Sequence, residues 1–409
     1  MLFIKADQGR ILKVGYLFSY LLNAPLFAIY SLMAFILYKD LHASPIQITT
    51  LVAIKPMVAV ISSYWNEHFS LHRGRMRANI IGATLIGLLP TFFYPFFQNA
   101  WLFVGAFGIY FFAERAVIPA WMELIKISLP EAEQSKVVGQ GSLIMFLSSA
   151  GFPLLICPLL DQYSQSWRWI FPLLGLISLA RLPFLFLLLK SYEKREEKQK
   201  ATFSLSAPWI RGWRVLRSRP DFAYYQAIFF CGGLGLMIMQ PSLPQIIEQN
   251  LQLSYTEIAL AVAFCKGIGF AATVSLWSSK LHRTNIFKYC GIVTLFAACS
   301  ICLILLSKFL GVCIYLAFFL YGVMQAGSQL SWQLGGPIFS PKQDSSHYTS
   351  INVIFVGLRG CIGPLLGGLL CARLGSTIAL GIGGLFCALG CVLGFFGNKE
   401  VQLTPKPDF

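Results

Sequence analysis

Twelve stretches of this chain are long and apolar enough to cross a bilayer, and that repetition limits the fold more than any other feature. They are Val14–Tyr38, Gln47–Trp65, Ala78–Phe97, Trp101–Ile125, Val138–Leu160 and Trp169–Leu189, then Phe222–Ile247, Ile258–Trp277, Phe287–Leu306, Leu310–Leu334, Tyr348–Cys371 and Leu374–Gly397. A spanning helix needs roughly 20 mostly apolar residues, whereas membrane β-strands are shorter and alternate in polarity. Composition agrees: 56% of the residues are hydrophobic and 12% charged, about half the charge of an ordinary soluble domain. A soluble enzyme and a disordered chain are thereby excluded. The first run is too long for a signal-peptide core and is expected to be retained.

The net charge is +15, but the basic residues flank the apolar runs instead of forming a nucleic-acid patch. With a cytoplasmic N-terminus, only Lys39, Arg168, Lys308 and Arg373 fall on the outer side. Lys55, Arg115, Arg181, Lys266 and Arg359 lie within runs, and the remaining Lys and Arg are cytoplasmic. The positive-inside rule therefore places both termini in the cytoplasm. Trp65, Trp101, Trp121, Trp169, Trp277 and Trp332 mark run ends as an aromatic belt. Of the 11 cysteines, ten follow residue 230 and nearly all fall in apolar runs. Cys299 and Cys302 read as core, not as a redox or metal pair, and neither a disulfide framework nor a metal site is expected.

The linker between the sixth and seventh runs holds mixed charge at Glu193–Lys198, then Pro208–Arg217, in which Trp209, Trp213 and Leu216 share one helical face beside arginines. It reads as a short helix lying in the headgroup region. The organisation expected is residues 1–190 as one six-helix bundle, 191–221 as linker, 222–397 as a second bundle and 398–409 as a cytoplasmic tail. An internal repeat supports it. A shift of 211 residues lays Lys55 on Lys266, Tyr110 on Tyr321, Trp121 on Trp332, Pro130 on Pro341 and Pro153 on Pro364. An even number of helices per repeat makes the two halves parallel and pseudo-symmetric about an axis along the membrane normal.

Twelve runs as six plus six, with cytoplasmic termini and a long central linker, resemble the major facilitator superfamily along the whole chain. Gly74-Arg75-Met76-Arg77 fits the end of that family's loop 2–3 signature, but its Asp position holds Leu71, with Glu67 the available substitute. Gly363-Pro364-Leu365-Leu366-Gly367-Gly368 resembles the family's GPxxGG element, although in the eleventh run; the fifth offers only Gly151-Phe152-Pro153, so drug antiport does not follow. In both runs Gly and Pro serve close helix packing and a bend. The resemblance implies alternating-access transport around a site near the midplane, with the first, fourth, seventh and tenth spans lining it, and a monomer sufficient for function. A bacterial inner membrane fits the short loops.

The informative chemistry is at mid-depth. Lys55, Glu114, Arg115, Lys266 and Arg359 would together cost about 12–17 kcal/mol if left facing lipid. They must face one another, a wet cavity or a ligand. Glu114 can neutralise one cation, with Lys55 on the neighbouring helix the expected partner, and positive charge remains. Lys55 precedes Pro56 and Lys266 precedes Gly267, so helix breaks are expected at matching positions of the two halves. The hypothesis is a cavity for a small anionic or carboxylate-bearing solute, with Lys55, Lys266, Arg115 and Arg359 supplying the field. Asn23, Gln325 and Gln329 are candidate polar contacts, Glu114 is the candidate proton carrier, and Glu67, Arg73, Arg75, Arg77 and Arg283 are candidate cytoplasmic gate residues. No cofactor is expected; the partners are the solute and the lipid bilayer. A drug or metabolite efflux antiporter, a polytopic membrane enzyme and a non-transporting sensor are the alternatives. The enzyme lacks support because the chain has no DDxxD, HExxH, GxSxG or P-loop motif.

Overall fold

The structure, a computed structural model, describes residues 2–43, 45–70, 76–163, 165–190, 206–247, 251, 253, 257, 260–340 and 345–396. Among them there is no β-strand. The helices are α1 (Leu2–Tyr30), α2 (Met33–Leu41), α3 (Pro45–Ser70), α4 (Met76–Leu88), α5 (Ala100–Ala116), α6 (Ile118–Ser128), α7 (Glu131–Gln162), α8 (Trp167–Leu179), α9 (Arg181–Lys190) and α10 (Ala207–Ser218). They continue with α11 (Pro220–Met239), α12 (Ser242–Ile246), α13 (Lys266–Arg283), α14 (Ile286–Leu306), α15 (Cys313–Phe339), α16 (Ser346–Leu374) and α17 (Ser376–Phe396). Ten helical segments among the described residues are long and apolar enough to cross a membrane. Two further apolar runs, Gln47–Trp65 and Val138–Leu160, lie within α3 and α7.

Local chemistry sets several boundaries. The Asn99 and Asn285 side chains accept the Trp101 and Phe287 backbone N–H groups, each at 2.9 Å, capping α5 and α14. Pro220 opens α11 with Asp221 in its first turn. Gly375 ends α16 at φ +86°, a left-handed position that suits a residue without Cβ. After α4 the chain tightens into a 3-10 segment, Leu89–Phe96, with Pro90 and Pro95 inside it.

The chain divides into two compact units, one of residues 1–209 with 341–354, the other of residues 210–340 with 355–409. In the first, α1 packs on α7 and α3 on α5, around an aromatic core. Tyr30 stacks on Tyr110 at 4.2 Å between centroids, meets Phe171 edge-on, and shares a 3.1 Å hydroxyl hydrogen bond with Tyr94. In the second, α11 and α14 pack on α17, and α13 on α15, with backbones in direct contact. A Cβ at Gly235 would lie 2.3 Å from the Gly383 carbonyl oxygen, and one at Gly367 2.2 Å from that of Ile238. The GPxxGG element is therefore a packing surface for α11, as small residues are between membrane helices.

The expected helix breaks fall only partly where the sequence placed them. α3 runs through Pro56 without interruption. At Lys266 the backbone does change, from a π-helical turn over Leu260–Cys265 to α-helix. Two further breaks sit beside charged residues: between α5 and α6 at Val117, just after Glu114 and Arg115, and between α8 and α9 at Ala180, just before Arg181. Cys302 is exposed on α14 and Cys299 half-buried, so that pair is not core. Among the described residues no group of His, Cys, Asp and Glu could hold a metal.

Candidate functional site

Each unit sets one of the two repeat-related lysines, Lys55 and Lys266, against aromatic rings. In the first, a Cβ at Gly108 of α5 would lie 2.6 Å from Ile54 Cδ1. That close approach brings Lys55 Nζ to 4.5 Å from the Phe111 ring centroid and 5.6 Å from that of Phe27. In the second, a Cβ at Gly322 of α15 would lie 2.0 Å from the Lys266 carbonyl oxygen, and Lys266 Nζ lies 5.0 Å from the Tyr321 centroid. Tyr321 is the repeat counterpart of Tyr110, one residue before Phe111. Cation–π contact favours an ammonium without neutralising its charge.

The ion pair expected between Glu114 and Lys55 is not formed. Glu114 Oε1 instead lies 3.8 Å from Arg181 Nη2, and Asn23 hydrogen-bonds the same carboxylate. Asn23 Oδ1 accepts from Ser178 Oγ at 3.0 Å and from Tyr110 OH at 3.3 Å. Arg181 opens α9 next to the Ala180 break, which brings its side chain to α5. Among the described residues Lys55 has no carboxylate partner. Arg115, half-buried in the last turn of α5 where a cation suits the helix dipole, is within electrostatic reach of both Glu114 and Lys55.

Glu114, Arg181, Asn23, Ser19, Tyr20 and Thr84 line a small, partly open cavity of about 40 Å³ inside the first unit. Two buried polar atoms there, Ser19 Oγ and Arg181 Nε, have no hydrogen-bond partner among the described residues. Groups of this kind call for ordered water or a ligand. Arg181 was visible in the sequence as an intramembrane cation but was not placed at the site. Its break is marked by Pro183 in the first turn of α9, whereas its partner emerges only from the packing of α9 on α4 and α1.

Other candidates occupy different positions. Arg359 is buried in the second unit; its guanidinium lies 4.1 Å from the Phe229 ring centroid and its Nη1 donates to the Phe229 carbonyl oxygen at 2.8 Å. A Cβ at Gly233 would lie 1.9 Å from Nη1, so Arg359 is packed into α11. Gln329 accepts from Trp332 Nε1 at 3.0 Å. Gln325 stands one turn after Tyr321, and its buried Oε1 has no hydrogen-bond partner among the described residues. Of the gate candidates, Arg77 stacks 4.9 Å from the Phe186 centroid, Arg283 is exposed at the end of α13, and Glu67 belongs to α3. Arg73 and Arg75 lie outside the described residues.

Sequence reasoning missed Glu123. This carboxylate on α6 is fully buried. Its Oε2 accepts the Ser345 backbone N–H at 2.6 Å and the Ser345 hydroxyl, and lies 3.3 Å from Lys126 Nζ. It therefore caps the start of α16. The only hint in the sequence was an acid at the end of an apolar run.

Comparison with known proteins agrees with this architecture. Residues 16–336 match the Major Facilitator Superfamily. No curated protein matches the chain by sequence. Among solved structures, the human organic anion transporter MFSD10 is similar with a TM-score of 0.71 at 14% identity, covering 95% of this chain and 99% of that one. The proton:xylose symporter XylE gives 0.72 at 13%, covering 98% of each chain. FucP in its outward conformation gives 0.64 at 15%, covering 94% of this chain and 99% of its own.

Proposed function

The chain belongs to the major facilitator superfamily, a family of multi-pass membrane transporters and not enzymes, and from that premise we propose that it carries a small anionic or carboxylate-bearing solute by proton-coupled alternating access. All twelve apolar runs cross the bilayer in this reading, both termini face the cytoplasm of a bacterial inner membrane, and a monomer suffices. The observation that carries it is Lys55: a mid-helix ammonium on aromatic rings, with no carboxylate partner among the described residues because Arg181 takes Glu114. A charge so placed costs several kcal/mol unless a counter-charge or water compensates it, and an anionic solute supplies one.

Lys266, beside Tyr321 and Gln325, plays the corresponding part in the second unit. The Gln325 carbonyl oxygen accepts a hydroxyl or N–H of the solute. Glu114 carries the proton: its pair with Arg181 is loose, its side chain is 23% exposed, and the surrounding cavity admits water. Arg359, packed into α11, positions helices and does not touch solute. Among the similar structures MFSD10 is an organic anion transporter, in line with an anionic solute, and XylE and FucP are proton symporters of xylose and fucose, in line with proton coupling.

Counterflow of labelled mono- and dicarboxylates, with neutral sugars beside them, into proteoliposomes tests it. Carboxylates should exchange and an inward proton gradient should accelerate them. Exchange of neutral sugars alone would overturn the anionic assignment.

A further inference from the structure

The helix α10 has an exposed face that neither unit's fold explains. Trp209, Trp213 and Leu216 recur at i, i+4 and i+7 on one side, with Ile210 adjoining. Trp213 is 70% exposed, Ile210 53% and Trp209 42%. Arg214 and Arg217 are exposed beside them, and no acidic residue lies between Ala207 and Ser218. Arg219 adds nothing to this surface, because Asp221 neutralises it through hydrogen bonds of 2.7 and 3.0 Å. Near its start the helix is anchored by Trp209 Nε1, which donates to Tyr64 OH of α3 at 2.8 Å.

We infer that α10 docks on an anionic phospholipid surface. Trp213 and Ile210 enter the boundary between headgroups and acyl chains, and Arg214 and Arg217 lie over the phosphates. Tryptophan is the side chain most at home at that depth, and basic residues flanking an apolar helical face are attracted to anionic lipid. An acidic protein would satisfy the arginines but not two adjacent indoles with their faces free, so lipid is the better fit. Each arginine near such a surface strengthens docking about fivefold, so the two together contribute about 25-fold. The anchor at Tyr64 ties the docked helix to α3, the helix that carries Lys55, so lipid composition acts on the element bearing the charged site.

The test uses the full chain in vesicles of phosphatidylcholine alone, or of phosphatidylcholine with phosphatidylglycerol, each containing phosphatidylcholine brominated near the headgroup end of its acyl chains. The emission of Trp213 is the difference between the native chain and Trp213→Phe. Both leaflets have one composition, so the result does not depend on which way the chain faces. Trp213 should be quenched, and more strongly with phosphatidylglycerol. Arg214→Gln with Arg217→Gln should abolish the increment, and so should about 1 M salt, at which the screening length falls to about 3 Å. The salt arm needs no substitution and holds if the double variant folds poorly. Trp101 and Trp169, exposed on other helices at 48% and 69%, report insertion in the same samples. Quenching of those two with none of Trp213 would overturn the proposal and favour solvent or a protein partner. Quenching of Trp213 equal in both lipids and indifferent to salt would also overturn it, leaving an apolar contact without anion recognition.

Discussion

Separating Glu114 from Arg181 gives a perturbation whose size follows from the geometry. Charges 3.8 Å apart attract by about 4 kcal/mol at an effective dielectric constant of about 20. The cavity opens on one side of the pair, and Glu114 is 23% exposed against 10% for Arg181, so about 2–3 kcal/mol of that should survive. Glu114→Gln leaves a buried guanidinium facing a neutral amide and should cost about 3 kcal/mol. Arg181→Met leaves a carboxylate still held by Asn23 and near Arg115, and should cost about 2 kcal/mol. The double variant should cost less than the two singles added, by about 2 kcal/mol. Unfolding of the four proteins in detergent, followed by circular dichroism, measures the cycle. A coupling within about 0.5 kcal/mol of zero would refute the pairing.

Glu114→Gln should also abolish uptake driven by a proton gradient while sparing exchange at equal pH, as measured by parallel gradient and counterflow assays; loss of both would remove the carrier role. Glu123→Ala leaves the Ser345 N–H and hydroxyl without their acceptor and should cost about 1–3 kcal/mol, read as faster amide exchange in the first turn of α16. Gly233→Ala drives a methyl into the Arg359 guanidinium and should cost about 1–3 kcal/mol by thermal unfolding. Adding Arg359→Ala to it should recover part of that loss, since the clash then has no partner.

The sequence revealed much of this fold because a bilayer leaves few options: an apolar run of sufficient length must be helical to satisfy its own backbone. The lysine repeat was legible for the same reason, since intramembrane charges are costly and rare. The partners of those charges were not legible. Glu114 and Arg181 meet because α9 begins again at a break that Pro183 marks without naming the partner, and Glu123 reaches Ser345 across 222 residues. Arg359 finds a main-chain carbonyl of α11, an acceptor that every residue carries and that leaves no trace in side-chain identity. Pro56 misled in the other direction: it sits inside an unbroken helix, because losing one hydrogen bond does not stop a helix supported by its neighbours.

Counterflow of a labelled carboxylate by Lys55→Met, set beside the native chain and beside Lys55→Arg, tests the charge at the site most directly. Loss of exchange in the Met variant, partial retention in the Arg variant and a native unfolding profile for both are the results expected. Native exchange kinetics in Lys55→Met would contradict the account, because the charge would then have no part in holding the solute.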